Sequence, residues 1–191
     1  MRLILATRNG HKVREFAQLM APHAIAELPA EIELPPETGT TFAENALIKA
    51  RAAAFATGDI AFADDSGIAA EALGGRPGVY SARFAGENAT DRENLDKLLA
   101  EAPAGSRVAY VCAIAYVEPE GEEFVVEGRC EGTLAAEPRG SGGFGYDPAF
   151  IPDEHPDKTM AELDPGDKDA ISHRGKAARA LRDRLDSPSA S

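Results

Sequence analysis

Positive charge is scarce in this chain: 20 Lys and Arg stand against 32 Asp and Glu among 191 residues, for a formal net charge of -12 and a pI near 4.8. A duplex nucleic-acid binder carries a basic face, so this balance argues against one. It leaves room for a small anionic ligand, because a few lysines and arginines can dominate the field inside a cleft. Long apolar runs are also missing. No stretch approaches a membrane span, and the opening Leu3-Ile4-Leu5-Ala6 is too short for a signal peptide, so a cytoplasmic protein with no membrane partner is expected. Cysteine is limited to Cys112 and Cys130. They lack metal-ligand spacing, and in a reducing compartment they are expected as two buried thiols on paired strands. No internal repeat and no inter-domain linker is visible. A chain of this length suits one domain that buries about 70% of its unfolded surface. That domain is expected over residues 1–186, with residues 187–191, Ser-Pro-Ser-Ala-Ser, as a disordered tail.

The chain centres on Ile60-Ala61-Phe62-Ala63-Asp64-Asp65-Ser66-Gly67, an apolar run that ends in two carboxylates, a hydroxyl and a glycine. Four apolar residues in a row predict a buried strand, so the acids stand where a strand leaves the core, the place where open α/β sheets bind ligands. Adjacent side chains of an extended chain point to opposite faces. Asp64 and Asp65 therefore divide the work: one faces a cleft as metal ligand or base while the other holds the turn. The competing reading is a plain turn, since Asp, Ser and Gly are common turn residues.

Upstream, Leu3-Ile4-Leu5-Ala6 predicts a first strand and Thr7-Arg8-Asn9-Gly10-His11-Lys12 a polar turn. Val13, Phe16, Ala17 and Met20 then make the stripe of an amphipathic helix that Pro22 ends. A strand, a cation-bearing turn and a helix start make a recipe for holding phosphate, although Walker spacing is absent and an ordinary connection has the same form. Residues 24–36 alternate but are broken by prolines, which suits an edge strand. Thr41-Phe42-Ala43-Glu44 opens an Ala-rich helix that runs to Thr57 and stops at Gly58; Thr-x-x-Glu is a capping box, which by itself accounts for Glu44. Asn45 and Lys49 share a face of that helix.

Downstream, the stretch from Gly74 to Arg83 is too rich in Gly and Pro for regular structure, and a capped helix follows from Thr90. Val108 to Val117 predicts a central strand, and Phe124 to Leu134 its hairpin partner with one wet face, so the sheet is mixed. Gly140-Ser141-Gly142-Gly143-Phe144-Gly145-Tyr146-Asp147-Pro148 combines glycines with two aromatics and an acid, which favours a ligand-contacting loop over a spacer. Ser172 is the expected N-cap of a last helix, with His173 and Arg174 in its first turn. Cations there oppose the helix dipole, a local cost that a bound anion or carbonyl would explain.

Six stretches in this order, Thr7-Arg8-Asn9 with Lys12, Thr41 to Ala46 with Lys49, Ala63 to Gly67, Gly74 to Arg83, Gly142 to Pro148 and Ser172-His173-Arg174, give a chain that resembles the inosine triphosphate pyrophosphatase family. The resemblance implies a mixed α/β fold of two lobes, a twisted sheet flanked by helices with a central cleft, a homodimer and a Mg²⁺ cofactor. It implies hydrolysis of dITP, ITP and XTP, purine nucleoside triphosphates, to monophosphate and pyrophosphate, clearing deaminated purines from the nucleotide pool. Carried onto this chain, Thr7, Asn9 and Lys12 hold the triphosphate with Lys49 assisting, and Arg8, Gly10 and His11 are further substrate-binding residues. Glu44 and Asp65 serve the metal, and Asp65 is also the base for the attacking water. Ser66 contacts substrate; Phe144, Gly145, Tyr146, Asp147, Lys168, His173 and Arg174 enclose the nucleobase. A pyrophosphatase of pyrimidine or modified triphosphates, or a nucleotide sensor without turnover, are the competing functions.

Overall fold

The computed structural model describes residues 1–187. Except for Ser187, the expected tail lies outside the described residues. In chain order the elements are β1 (Arg2–Leu5), α1 (Gly10–Leu19), β2 (Ala24–Glu27), α2 (Phe42–Thr57), β3 (Ala61–Ala70), α3 (Asp91–Glu101), β4 (Arg107–Val117), β5 (Glu123–Leu134), β6 (Phe150–Pro152), α4 (Pro165–Ile171) and α5 (His173–Asp186). Short 3₁₀ turns occur at Glu71–Leu73, Gly78–Arg83, Asp147–Ala149 and Met160–Glu162.

The six strands form one sheet in the order β2-β1-β3-β4-β5-β6. β1 is parallel to β2 and β3, while β5 and β6 are antiparallel. Backbone bonds from Glu118 N to Glu122 O and from Leu134 N to Ser106 O tie opposite ends of β4 and β5, so these two make the expected hairpin. The sheet is therefore mixed and flanked by helices, an α/β fold. The chain groups into two compact units. The first comprises residues 1–65, 112–128 and the chain from Arg174 onward; the second comprises Ser66–Val111 and Arg129–His173.

In the first unit the two faces of the sheet are sorted by strand alternation. Leu3, Leu5, Phe62, Cys112 and Ile114 pack with Phe16 and Met20 near α1 and with Ala177, Ala178 and Leu181 of α5. Ile4, Ala61, Ala63, Ala115 and Val117 pack instead against Ala46, Ala50, Ala53 and Ala54 of α2. The alanine face of α2 lets that helix lie close to the strands. Its ends are sealed by a capping box at Thr41 and Glu44 and by Gly58, whose φ of 68° is the left-handed conformation of a helix stop. The second unit has its own core, in which Ile68, Val108, Tyr110, Cys130 and Leu134 meet Leu95 and Leu98 of α3 and Phe150, Met160 and Leu163. Both cysteines are free and buried.

One local difference from the sequence reading bears on function. The acids do not end a strand: β3 runs on through Asp64-Asp65-Ser66-Gly67 to Ala70, so the turn reading of that tetrapeptide is also excluded. Asp and Ser favour turns when their side chains bond their own backbone. Here both carboxylates find partners on other elements, and the backbone stays in the ladder. At the other end of the chain, Ser172 caps the C-terminus of α4 through a bond from its N–H to Lys168 O (2.8 Å), and α5 begins at the next residue.

Candidate active site

The β1–α1 turn is built around the Asn9 side chain, whose Oδ1 accepts from His11 N (2.9 Å) and Lys12 N (3.4 Å) and so caps α1. Thr7 Oγ1 accepts from Asn9 N at 3.2 Å. Gly10 is the first residue of the helix, and His11 Nδ1 lies 3.1 Å from an Arg14 nitrogen. Arg8 turns away from this constellation. Its guanidinium donates to the carbonyls of Leu28 and Pro29 (2.7 Å each), to Ala30 (3.3 Å) and to Ile32, clamping the segment that follows β2.

Lys12 reaches Asp64 of β3, with Nζ 2.9 Å from Oδ2. Asp64 shares the face of Phe62, toward α1 and α5, and there Arg174 Nε stands 3.6 Å from the same oxygen. Burial would push the Asp64 carboxyl up, but Lys12, Arg174 and Lys49 outweigh it and hold the group at about 2. Arg174 is only 3% exposed and also pairs with Glu15 of α1, 2.5 Å away. Although burial disfavours its charge, Asp64 and Glu15 keep the guanidinium firmly protonated.

Asp65 faces the other way, toward α2, where Asn45 Nδ2 donates to its Oδ2 at 2.9 Å. Asn45 Oδ1 accepts from Gly39 N at 2.8 Å, which fixes the orientation of the amide. Burial raises the Asp65 carboxyl above its ordinary range, against the opposing pull of Lys49 and the Asn45 bond. Lys49 is itself buried and donates to Asp64 O (2.7 Å) and Glu37 Oε1 (2.5 Å); burial opposes its charge, but Asp64 and Glu37 hold the ammonium above its usual range. The two acids thus have separate environments, as the alternation of a strand requires. Asp64 is a fixed counter-ion and Asp65 a proton acceptor with raised affinity.

Glu44 stands next to Asn45 on α2. Its Oε2 accepts from Thr40 N (2.6 Å), Thr40 Oγ1 (2.9 Å) and Thr41 N (3.3 Å), and these donors, Thr40 N first, keep its carboxyl below the ordinary range. The cap occupies only one of the two oxygens. Among the described residues no group of three or more His, Cys, Asp or Glu could hold a metal ion. Glu44 and Asp65, the latter bonded by Glu44's chain neighbour Asn45, are nevertheless hard oxygen donors of the kind that suits Mg²⁺, a cation commonly held by one or two acids, with phosphate oxygens and waters completing its shell.

The second unit gathers the remaining predicted residues. Asp147, 4% exposed, accepts from Tyr110 OH (3.0 Å), Phe144 N (3.0 Å) and Lys168 Nζ (2.7 Å). Phe144 is half exposed, with Lys168 Nζ 5.4 Å from its ring centroid. Gly145 N donates to Asp91 Oδ2 at 3.0 Å and Tyr146 OH to Ser81 O at 2.7 Å, so the loop is tied down on both sides. His173 stacks on Tyr110, centroids 4.6 Å apart at 12°. Ser66 follows Asp65 on β3 and is partly buried. The array presents an exposed aromatic face and a fixed ammonium, groups suited to a planar heterocycle with carbonyl acceptors.

Sequence reasoning did not give Tyr110, Glu15 or Glu37 a part in these clusters. Tyr110 sits in an unbroken apolar strand, where a hydroxyl carries no signal of its own. Glu15 and Glu37 come from an exposed-looking helix position and an irregular segment.

The match to known proteins covers almost the whole chain, with residues 3–184 fitting the Ham1 family. A dITP/XTP pyrophosphatase of Streptomyces coelicolor is 50% identical over 190 residues, 94% of this chain and 94% of that one. One from Geobacillus kaustophilus is 48% identical, covering 94% of this chain and 91% of its own. Among solved structures, a HAM1 protein from Coxiella burnetii superposes with a TM-score of 0.87 at 44% identity, over 97% of this chain and 98% of that one. A nucleoside-triphosphatase / dITP/XTP pyrophosphatase from Mycobacterium abscessus gives 0.78 at 45% identity over 98% and 100%. With sequence, length and fold all agreeing, the chain belongs to the Ham1 family.

Proposed function

We propose that this protein hydrolyses dITP, ITP and XTP to the nucleoside monophosphate and pyrophosphate, removing deaminated purines from the nucleotide pool. The names of its relatives support the substrate class. The observation that carries the chemistry is Asp65: a buried carboxylate with raised proton affinity, oriented by Asn45 and on the opposite strand face from the Asp64 ion pairs. A base that works near neutral pH benefits from a raised pKa. Asp65 takes a proton from the attacking water, whose oxygen bonds the α-phosphorus while the α–β bridging oxygen leaves with pyrophosphate. Lys12 and Lys49 bring positive charge to the phosphates, and Thr7, Asn9 and the start of α1 orient them.

Mg²⁺ is the proposed cofactor, with Glu44 and Asp65 as its protein donors; when bound it supplies positive charge to the phosphoanhydride oxygens. Phe144 stacks on the base while Lys168 and His173 meet its polar edge. A 6-oxo group accepts from such donors, whereas adenine brings an amine there and leaves them unpaired, which rejects it strongly. Arg174, expected from the sequence at the nucleobase, pairs with Asp64 and Glu15, so its proposed role lies on the phosphate side, through Asp64. The protein is proposed to act in the cytoplasm as a homodimer of 20.1 kDa chains, which light scattering checks.

A panel of dITP, XTP, dATP, dGTP and UTP at equal concentration, with pyrophosphate and phosphate measured separately, tests this function. The expected result is pyrophosphate release in one step, fastest for dITP and XTP. Stepwise phosphate release, or a preference for UTP, would overturn it.

A further inference from the structure

Asp147 already accepts three donors from its own chain, so it has little capacity left to read a base. Its carboxylate is a hub: Oδ2 takes Phe144 N and Lys168 Nζ, and Oδ1 takes the Tyr110 hydroxyl. The hub is tight. A Cβ on Gly143 would lie 2.1 Å from Asp147 Oδ2 and 3.0 Å from Lys168 Nζ, and the φ of +72° at that residue already favours glycine. Phe144 and Lys168 are two of the three groups proposed to meet the base, and both are held through this one carboxylate.

Tyr110 is the buried end of the hub. It is 6% exposed, and its ring is stacked between Phe150 (centroids 4.4 Å apart, 25°) and His173 (4.6 Å, 12°). Burial, and then the Asp147 charge, hold its hydroxyl well above the ordinary phenol range, so it remains a donor at all working pH values. One side chain on β4 therefore touches both the glycine loop, through Asp147, and the first residue of α5, through the face of its ring.

We propose that Tyr110 is a positioning residue for base selection, its hydroxyl orienting Asp147, and through it Phe144 and Lys168, while its ring seats His173. This rests on the reading that Phe144, Lys168 and His173 meet the base. Tyr110 is buried, with its hydroxyl on Asp147 and its ring between Phe150 and His173, so its proposed action on the base is through these residues. Losing its hydroxyl therefore weakens base binding and discrimination while leaving the phosphate chemistry intact.

The test compares Tyr110→Phe, Tyr110→Leu and Phe144→Ala with the parent protein, using kcat and KM for dITP and dATP in Mg²⁺, with melting temperature and circular dichroism recorded for each. Tyr110→Phe keeps the stack and removes one bond to a charged group, so KM for dITP should rise about tenfold, kcat should stay within about twofold, and the preference for dITP over dATP should fall. Tyr110→Leu also removes the stack and should do more of the same. If Phe144→Ala raises KM but Tyr110→Phe changes neither KM nor preference, the positioning role is wrong although the base reading stands. If Tyr110→Phe lowers only the melting temperature, its role is structural and the inference fails. If Phe144→Ala also leaves KM and preference unchanged, the base reading itself falls and takes the inference with it.

Discussion

Lys12 Nζ lies 2.9 Å from Oδ2 of Asp64, a side chain with no exposed surface, and the guanidinium of Arg174 approaches the same oxygen at 3.6 Å. One buried anion thus fixes two cations from opposite ends of the sequence. Replacing Asp64 with Asn keeps the shape but takes one anionic partner from the buried Arg174 and releases Lys12 from its anchor. Breaking a buried pair by removing one partner costs about 3–5 kcal/mol. Asp64→Asn should show that loss in urea denaturation, with a raised KM in the fraction that folds; a variant as stable as the parent would contradict the counter-ion role.

The same group sets an acid limit. Its folded-state pKa, about 2, is below the ordinary carboxylate value of 3.8. Folding therefore favours the ionised form. The stability this contributes is fully present above the unfolded value and is lost as pH falls through the folded one. Denaturation midpoints should drop between about pH 4 and pH 2, and the drop should be shallower in Asp64→Asn. Equal slopes for the two proteins would assign the acid sensitivity to other carboxylates.

Much of this was legible in the sequence. The alternation of Phe62, Ala63, Asp64 and Asp65 was enough to predict that the two acids act on opposite faces, and the apolar run of β4, the Glu118-Pro119-Glu120-Gly121 turn and the alternation of β5 gave the hairpin. The capping boxes at Thr41 and Thr90 marked two helix starts correctly. What was hidden depended on long-range partners. Nothing local shows that β3 continues through four turn-favouring residues, because the reason lies on α1, α2 and α5. Arg8 looks like a phosphate ligand in sequence, yet it is spent on the carbonyls of residues 28–32. The six ordered motifs identified the family correctly, since their order constrains the chain more than any one motif does.

Asp65→Asn separates chemistry from binding. The amide keeps an oxygen that can accept from Asn45 Nδ2, so the local structure should hold while the proton acceptor is lost. General-base catalysis contributes roughly 10²–10⁴-fold. The expected outcome is a fall in kcat of that order with KM for dITP changed only a few-fold. Retention of full kcat would remove Asp65 from the base role.

Gly67 is required for a different reason. A Cβ there would lie 2.3 Å from Ser81 Oγ and 2.7 Å from Gly78 O. Ser81 Oγ in turn accepts from Ile68 N and donates to Gly78 O, so it has no easy retreat. Overpacking of this kind costs roughly 1–3 kcal/mol. Gly67→Ala should lower the melting temperature, and adding Ser81→Ala should recover only part of it, because the Gly78 carbonyl still stands in the way. Full recovery in the double variant would show that the backbone contact is unimportant.

Chelation distinguishes a catalytic metal from a structural one. Glu44 is held by its helix cap and Asp65 by Asn45, so both proposed donors keep protein partners when the ion is gone. EDTA should abolish pyrophosphate release from dITP, and Mg²⁺ added back should restore it. The melting temperature should stay within about a degree in both states, because an ion that binds weakly without substrate adds little stability by mass action. A large fall in melting temperature on chelation would mean that a metal holds the fold together, and undiminished turnover in EDTA would remove Glu44 and Asp65 from the metal role.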